Sequence, residues 1–301
     1  MNKQAKAVEG AIPHLIKADP NSPVLKAIGR GSVVIKGGTH FNGVDFAEDT
    51  PVTAPAAGYE AGADYGVAVV DLGAAAFRLD ANPIAATWIG GFHFAPGGNA
   101  SARVGGDEIP AINPCSLWDL SFRPACPDPR GMTLVEKQGN RFWCDIYLTG
   151  ADCHVDGTSK FGAAIADGDK CPRDPEGDRY DQFDYKTAVA VMAHHGKGLL
   201  STDEFRAAAI GVTERSACDR DPKTTGLDAS RTSRFGLMQA TGNLWVWGHD
   251  GDPDEPRASI FGGSWFSGDH AGSRDAYVGY WPENSSGLLG ARGRSDHLQP
   301  V

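Results

Sequence analysis

The chain has 301 residues, enough for one large domain or two of ordinary size, and its 41% hydrophobic and 9% aromatic content is enough to bury a core. A formal charge of −10 and a pI of about 5.3 exclude an electrostatic case for binding nucleic acid or an anionic membrane. No apolar run reaches the roughly 18 residues of a membrane-spanning helix, and 39 glycines with 19 prolines favour short strands and specified loops over a helical bundle.

In chain order, residues 1–30 carry a weak helical pattern broken by Pro20 and Pro23. The opening stretch lacks a continuous apolar segment and does not read as a secretory signal, so the chain is expected in the cytosol before assembly, or to leave only inside a particle. Strands follow at 32–36 (SVVIK), 40–46 (HFNGVDF, with Asn42-Gly43 as a two-residue turn) and 66–72 (GVAVVDL). Residues 1–78 are read as a small β-rich module for docking or oligomerisation, too small for a generous core and therefore reliant on partner subunits. The remainder, 79–301, is read as a ligand-binding domain. It has strands at 86–94 (ATWIGGFHF) and 141–148 (RFWCDIYL), then a helix at 184–195 whose Ala188, Met192 and His195 recur on one face. Ser201 and Glu204 form a capping box that starts a second helix. After residue 236 only strand and loop are expected, which makes the class α+β.

Chemical signals are sparse. No nucleophile elbow, Walker loop, C-x-x-C or H-E-x-x-H is present. HHGKGLLS (194–201) has the composition of a phosphate cradle, but no strand precedes it and a helix C-cap explains it, with His194 and His195 complementing the helix dipole. Asp250, Asp252 and Asp254 alternate as calcium ligands do, yet Pro253 interrupts them and no bidentate Glu follows, so an acidic surface loop is expected. Asp152, Asp156, Asp167 and Asp169 suggest the same idea with less support. Cys115, Cys126, Cys144, Cys153, Cys171 and Cys218 are too scattered for a disulfide scaffold; Cys144 and Cys153 are a conceivable pair, but free buried thiols are expected. No catalytic group, metal or cofactor is assigned.

The C-terminal third carries a resemblance. RFGLMQATGNLWVWG (234–248), FGGSW (261–265) and LLGARGR (288–294) resemble the C-type-lectin-like fold shared by formylglycine-generating (sulfatase-modifying) enzymes and by the variable proteins of diversity-generating retroelements, which include phage receptor-binding proteins. The likeness covers roughly 180–301, with weaker support at IGGFHF (89–94). The enzyme branch implies two cysteines shortly after GGSW to hold copper and attack substrate, and this chain has none after Cys218. The variable-protein branch implies that adenines in Asn codons are replaced, which can yield Phe, Ser, Asp, His, Tyr, Gly or Leu among others, but never Lys, Glu, Gln, Met or Trp. Within a variable region of about 262–297 it implies a ligand-binding set of Phe266, Ser267, Asp269, His270, Asp275, Tyr277, Gly279, Tyr280, Ser285, Gly287 and Leu288.

Strand alternation agrees in part, placing Asp275, Tyr277 and Gly279 on one face and Ala276, Val278 and Tyr280 on the other, inward one. Of Trp245/Trp247 and Leu244/Val246, one pair is expected in the core, and at least one of Arg292 and Arg294 in a structural ion pair. The expected protein is therefore a non-enzymatic receptor binder, suited to a phage or prophage tail fibre. It would bind a protein ligand or host-cell receptor and form a homo-oligomer, a trimer by preference, with no nucleic-acid partner and no membrane insertion. A sulfatase-modifying-type oxidative enzyme and a calcium-dependent sugar-binding lectin are the alternatives.

Overall fold

A computed structural model describes residues 14–71, 73–80, 87–98 and 106–298. Its first part contains strands β1 (Leu15–Ile16), β2 (Leu25–Gly29), β3 (Ser32–Ile35), β4 (Thr39–Phe41), β5 (Val44–Phe46), β6 (Thr50–Thr53), β7 (Ala63–Val70), β8 (Gly73–Arg78), β9 (Trp88–Ala95), β10 (Ala111–Ile112) and β11 (Trp118–Asp119). The helical reading of 1–30 is overturned for the described residues 14–30, which hold β1 and β2; residues 1–13 lie outside the description. The predicted Asn42-Gly43 turn is present, with both residues at positive φ (47° and 88°) joining β4 to β5. Those angles match the right-handed twist of a hairpin, and Gly43 adopts its angle without a steric penalty.

β2, β3, β6, β8, β7, β9 and β10 are hydrogen-bonded in that order, with β11 paired to β9 along the same edge as β10, so this sheet takes strands from both sides of Arg78. Its two ends come together where the Ile112 N–H donates to the Arg30 carbonyl at 2.7 Å. The sheet is thereby curled almost into a barrel, around Leu25, Ile35, Tyr65, Val67, Ile89 and Phe92. Each such side chain contributes about 1.5–3 kcal/mol by leaving water, and closure leaves few free strand edges.

The second part holds β12 (Met132–Lys137), β13 (Asn140–Asp145), helix α1 (Cys153–Asp156), α2 (Tyr185–His194), β14 (Gly198–Ser201), α3 (Thr202–Ala208), β15 (Trp245–His249), β16 (Ala258–Phe261), β17 (Ala276–Val278), β18 (Leu289–Gly290) and β19 (Gly293–Asp296). They form a sheet in the order β12-β13-β19-β14-β15-β16-β17, with β18 beside β15 and β17 at the edge. The α+β expectation is corrected: the fold is mostly β. Its helices α2 and α3 have only 10 and 7 residues. The expected capping box of α3 is present, and α2 has an N-cap that the sequence reading did not single out. Asp184 accepts the Thr187 N–H at 2.8 Å, and Ser201 and Glu204 form the reciprocal box. β14 follows α2 directly where the sequence suggested only a helix end.

Trp247, Leu244 and Val246 are all fully buried, because both faces of β15 are covered. Trp247 packs with Met192 and Phe183, while Leu244 and Val246 pack with Leu148 and Ile165. The expectation of a single buried face therefore underestimates the core. Arg294 makes the expected ion pairs, with Glu204 and Asp296. All six cysteines are free, Cys144 and Cys153 included. Among the described residues no helix is long and apolar enough to cross a membrane.

Candidate functional site

The segment after β16 builds the exposed edge of the second sheet. Trp265 is the anchor: its backbone N–H donates to the Asn243 carbonyl at 2.8 Å and its ring packs on Leu148, Ile165, Leu244 and Val246. Phe266, one residue on, touches the Trp265 ring edge-on and is 76% exposed. The Ser267 N–H bonds the Ser264 carbonyl and the Ser264 N–H bonds Ser267 Oγ, both at 2.9 Å, closing a turn that leads to a short 3-10 segment at Gly268–His270. Asp269 and His270 point into solvent there, and Arg215 lies 3.6 Å from Asp269.

The loop returns through Ala271–Ser273, which is buried. Glu214 accepts the Ser273 N–H at 3.0 Å and the Ser273 hydroxyl, while the Ser216 N–H donates to the Ala271 carbonyl at 3.1 Å. Asp275 is half-buried, with one carboxylate oxygen enclosed and without a hydrogen-bond partner. Desolvation pushes its carboxyl above the usual range, opposed by nearby His270.

On β17 the alternation expected from the sequence is broken. Val278 is 57% exposed, as much as Tyr277, so it does not point to the core. Ala276, on the same face, packs against the cluster of Phe205 and Phe261, but Val278 stands at the end of this three-residue edge strand, beyond that cover. Tyr277 rests edge-on against Trp245 at 5.2 Å. Gly279 is exposed. Tyr280 turns inward, as strict alternation required: its ring lies 5.9 Å from Trp247 and its hydroxyl accepts from Asn284 at 2.7 Å.

The remaining predicted positions are engaged with the framework. Ser285 Oγ accepts the Phe183 N–H at 2.9 Å, a Cβ at Gly287 would lie 2.2 Å from Asp169, and the Leu288 carbonyl accepts the Trp245 N–H at 2.9 Å. Phe266, Ser267, Asp269, His270 and Asp275 thus belong to one loop, and Tyr277, Gly279 and Tyr280 to the adjoining edge strand and its turn. Ser285, Gly287 and Leu288 flank β18. Trp281, outside the set read from the sequence, is 78% exposed and next to this edge.

The other candidates have local partners. In the acidic loop, Asp250 accepts the Arg257 and Asp252 N–H groups, which hold its carboxyl below the usual range. Asp152 pairs with Arg173 and Asp156 with Lys160, while Asp167 accepts the amides of Asp169 and Lys170. His195 does not serve as a charge at the end of α2, because burial pushes it from 6.5 down to about 4 and leaves it neutral near pH 7.

Fold and site together define a class: a mostly β protein with a near-barrel first sheet, whose second sheet presents an aromatic and charged loop along one edge. Known proteins share this architecture. Residues 23–119 match the family described as Mtd second domain. The chain is 39% identical to the tail fiber receptor-binding protein of Bordetella phage BPP-1 over 328 residues, spanning 94% of this chain and 84% of that protein. Among solved structures, the Major Tropism Determinant M1 variant aligns with a TM-score of 0.85 at 37% identity, covering 95% of this chain and 86% of the other. The I1 variant aligns with a TM-score of 0.84 at 39% identity, covering 94% and 86%. The chain belongs to the major tropism determinant family. Its relatives are named for tropism and receptor binding and not for catalysis, which removes the oxidative-enzyme alternative.

Proposed function

We propose that this chain is the receptor-binding protein of a phage tail fibre and that its diversified ligand-binding face lies on a C-type-lectin-like scaffold. The observation that carries the reading is the 39% identity to a tail fiber receptor-binding protein along nearly the whole chain. The edge described above has the physical character such a face requires. Phe266, Asp269, His270, Tyr277 and Gly279 project outward, supplying aromatic area at low entropic cost beside polar groups that adapt to a partner. Ser267, Asp275, Tyr280, Ser285, Gly287 and Leu288 are half-buried and shape its rim. The partner is a protein on the host-cell surface. The N-terminal residues, about 1–78, dock the chain or join it to further copies, and a trimer on the fibre would add avidity to weak single contacts.

Sequencing the locus through a phage population tests this reading. Adenine-directed substitutions should concentrate in codons 262–297, with a near-copy of that segment beside a reverse transcriptase. Substitutions spread evenly over the second sheet's core would overturn it.

A further inference from the structure

We propose that Glu214 and Arg215, which lie outside the diversified segment, form a constant part of the binding face: Glu214 positions the recognition loop, and Arg215 contacts an acidic group of the receptor protein. The proposal rests on the receptor-binding reading above.

Between Trp265 and Asp275 the loop has no strand to hold it. Its backbone is fixed instead at Ala271–Ser273, where Glu214 accepts the N–H and the hydroxyl of Ser273 and the Ser216 N–H binds the Ala271 carbonyl. From the opposite side the Gly272 N–H donates to the Gly262 carbonyl at 3.1 Å. Glu214 also sits directly against Gly272, where an added Cβ would stand 2.2 Å from its carboxylate oxygen and would push that carboxylate aside. None of these bonds uses the side chains of Phe266, Asp269, His270 or Asp275. At Ala271–Ser273 the loop's path is therefore decoupled from those four side chains, while the Ser267 hydroxyl, which accepts the Ser264 N–H, shapes the turn at its start. Hydrogen bonds to a carboxylate are the stronger kind.

Arg215 sits between the two tied residues with φ at 58°, a sparsely populated angle for a side chain of its size. That backbone aims its guanidinium, 80% exposed, beside Asp269 at 3.6 Å. An exposed pair at that separation holds its partners weakly. The five-donor fork is free to turn toward a carboxylate on a ligand, and more so in a variant where position 269 has lost its acid.

Hydrogen exchange on the full chain, and flow cytometry of fluorescently labelled chain on the bacterial cells its phage adsorbs to, test both roles. Glu214→Ala should raise amide exchange over 264–275 by about tenfold or more, leave Val246 and Ile260 unchanged, and weaken cell binding at least about tenfold. Glu214→Gln should restore most of both, since its amide oxygen still accepts the Ser273 N–H. Arg215→Asn, which tolerates the same backbone angle, should leave exchange unchanged and weaken binding about tenfold. A uniform rise in exchange, or none, overturns the positioning role. Undiminished binding by Glu214→Ala and Arg215→Asn, while Phe266→Ala with Tyr277→Ala abolishes it, overturns the proposal and leaves the receptor reading standing. If that double variant also binds normally, both fall.

Discussion

Arg292 is wholly buried beside β19, and its guanidinium donates to the carbonyls of Asp145, Ile146, Met238 and Gln239 at 2.6–3.2 Å. Arg294 makes the ion pair expected of at least one of these two arginines; the partners of Arg292 are carbonyls of two separate segments, which a single planar fork holds together. Arg292→Met should cost about 3–5 kcal/mol in urea unfolding, because four buried acceptors lose their donor. Phe266→Ala and Tyr277→Ala should each stay within about 0.5 kcal/mol, as exposed truncations do. His297 gives a pH dependence. It accepts the Trp143 Nε1–H at 2.9 Å, and burial, with Arg141 nearby, pushes it from 6.5 to about 4. The unfolded chain binds this proton first, so the contribution is present above about pH 6.5 and is lost as pH falls toward 4. The loss should be on the order of 1–2 kcal/mol after solvent screening. His297→Gln should flatten that part of the stability curve; an unchanged slope would show that His297 is not its source.

At the scale of elements, α3 shows how one local signal is tied into the sheet. Ser201 ends β14 and caps α3, and Glu204 closes the box while also binding Arg294 at 2.8 Å. Ser201→Ala should lower stability by about 1 kcal/mol, the usual cost of a lost cap. Glu204→Ala should cost more, since it removes a half-buried ion pair as well, and thermal unfolding of the two variants should rank them in that order. The helix propensities are ordinary; the packing of Phe205 on Phe261 at 5.1 Å anchors α3 to the sheet.

Across the whole molecule, the two large sheets are joined by a buried relay. His93 on β9 bonds Asp64 at 3.1 Å through Nδ1 and the Tyr147 hydroxyl at 2.9 Å through Nε2, while Asp64 also accepts the Gly131 N–H at 3.0 Å. Asn113 adds a bond to the Phe235 carbonyl at 3.1 Å. Contacts of this kind couple the near-barrel to the second large sheet, so calorimetry should show one cooperative transition. Tyr147→Phe should cost about 1–2 kcal/mol by leaving His93 one partner short. Asp64→Asn combined with it should be non-additive, as expected for groups in one network. Two separate transitions in wild-type protein would mean that the sheets fold independently.

The sequence by itself determined what depends on neighbours along the chain: the Asn42-Gly43 hairpin, the glycine that ends α2 at Gly196, and the capping box of α3. These rest on backbone angles and short-range hydrogen bonds that residue type dictates. The tertiary structure alone decided that the class is mostly β, because strands as short as β10, β14 and β18 have no period to read and exist only through their sheet partners. It decided that Val278 faces water, because how far cover extends along an edge strand is a property of the assembled sheet. It also brought Glu214 to Ser273 across 59 residues, a juxtaposition that no spacing in the chain encodes.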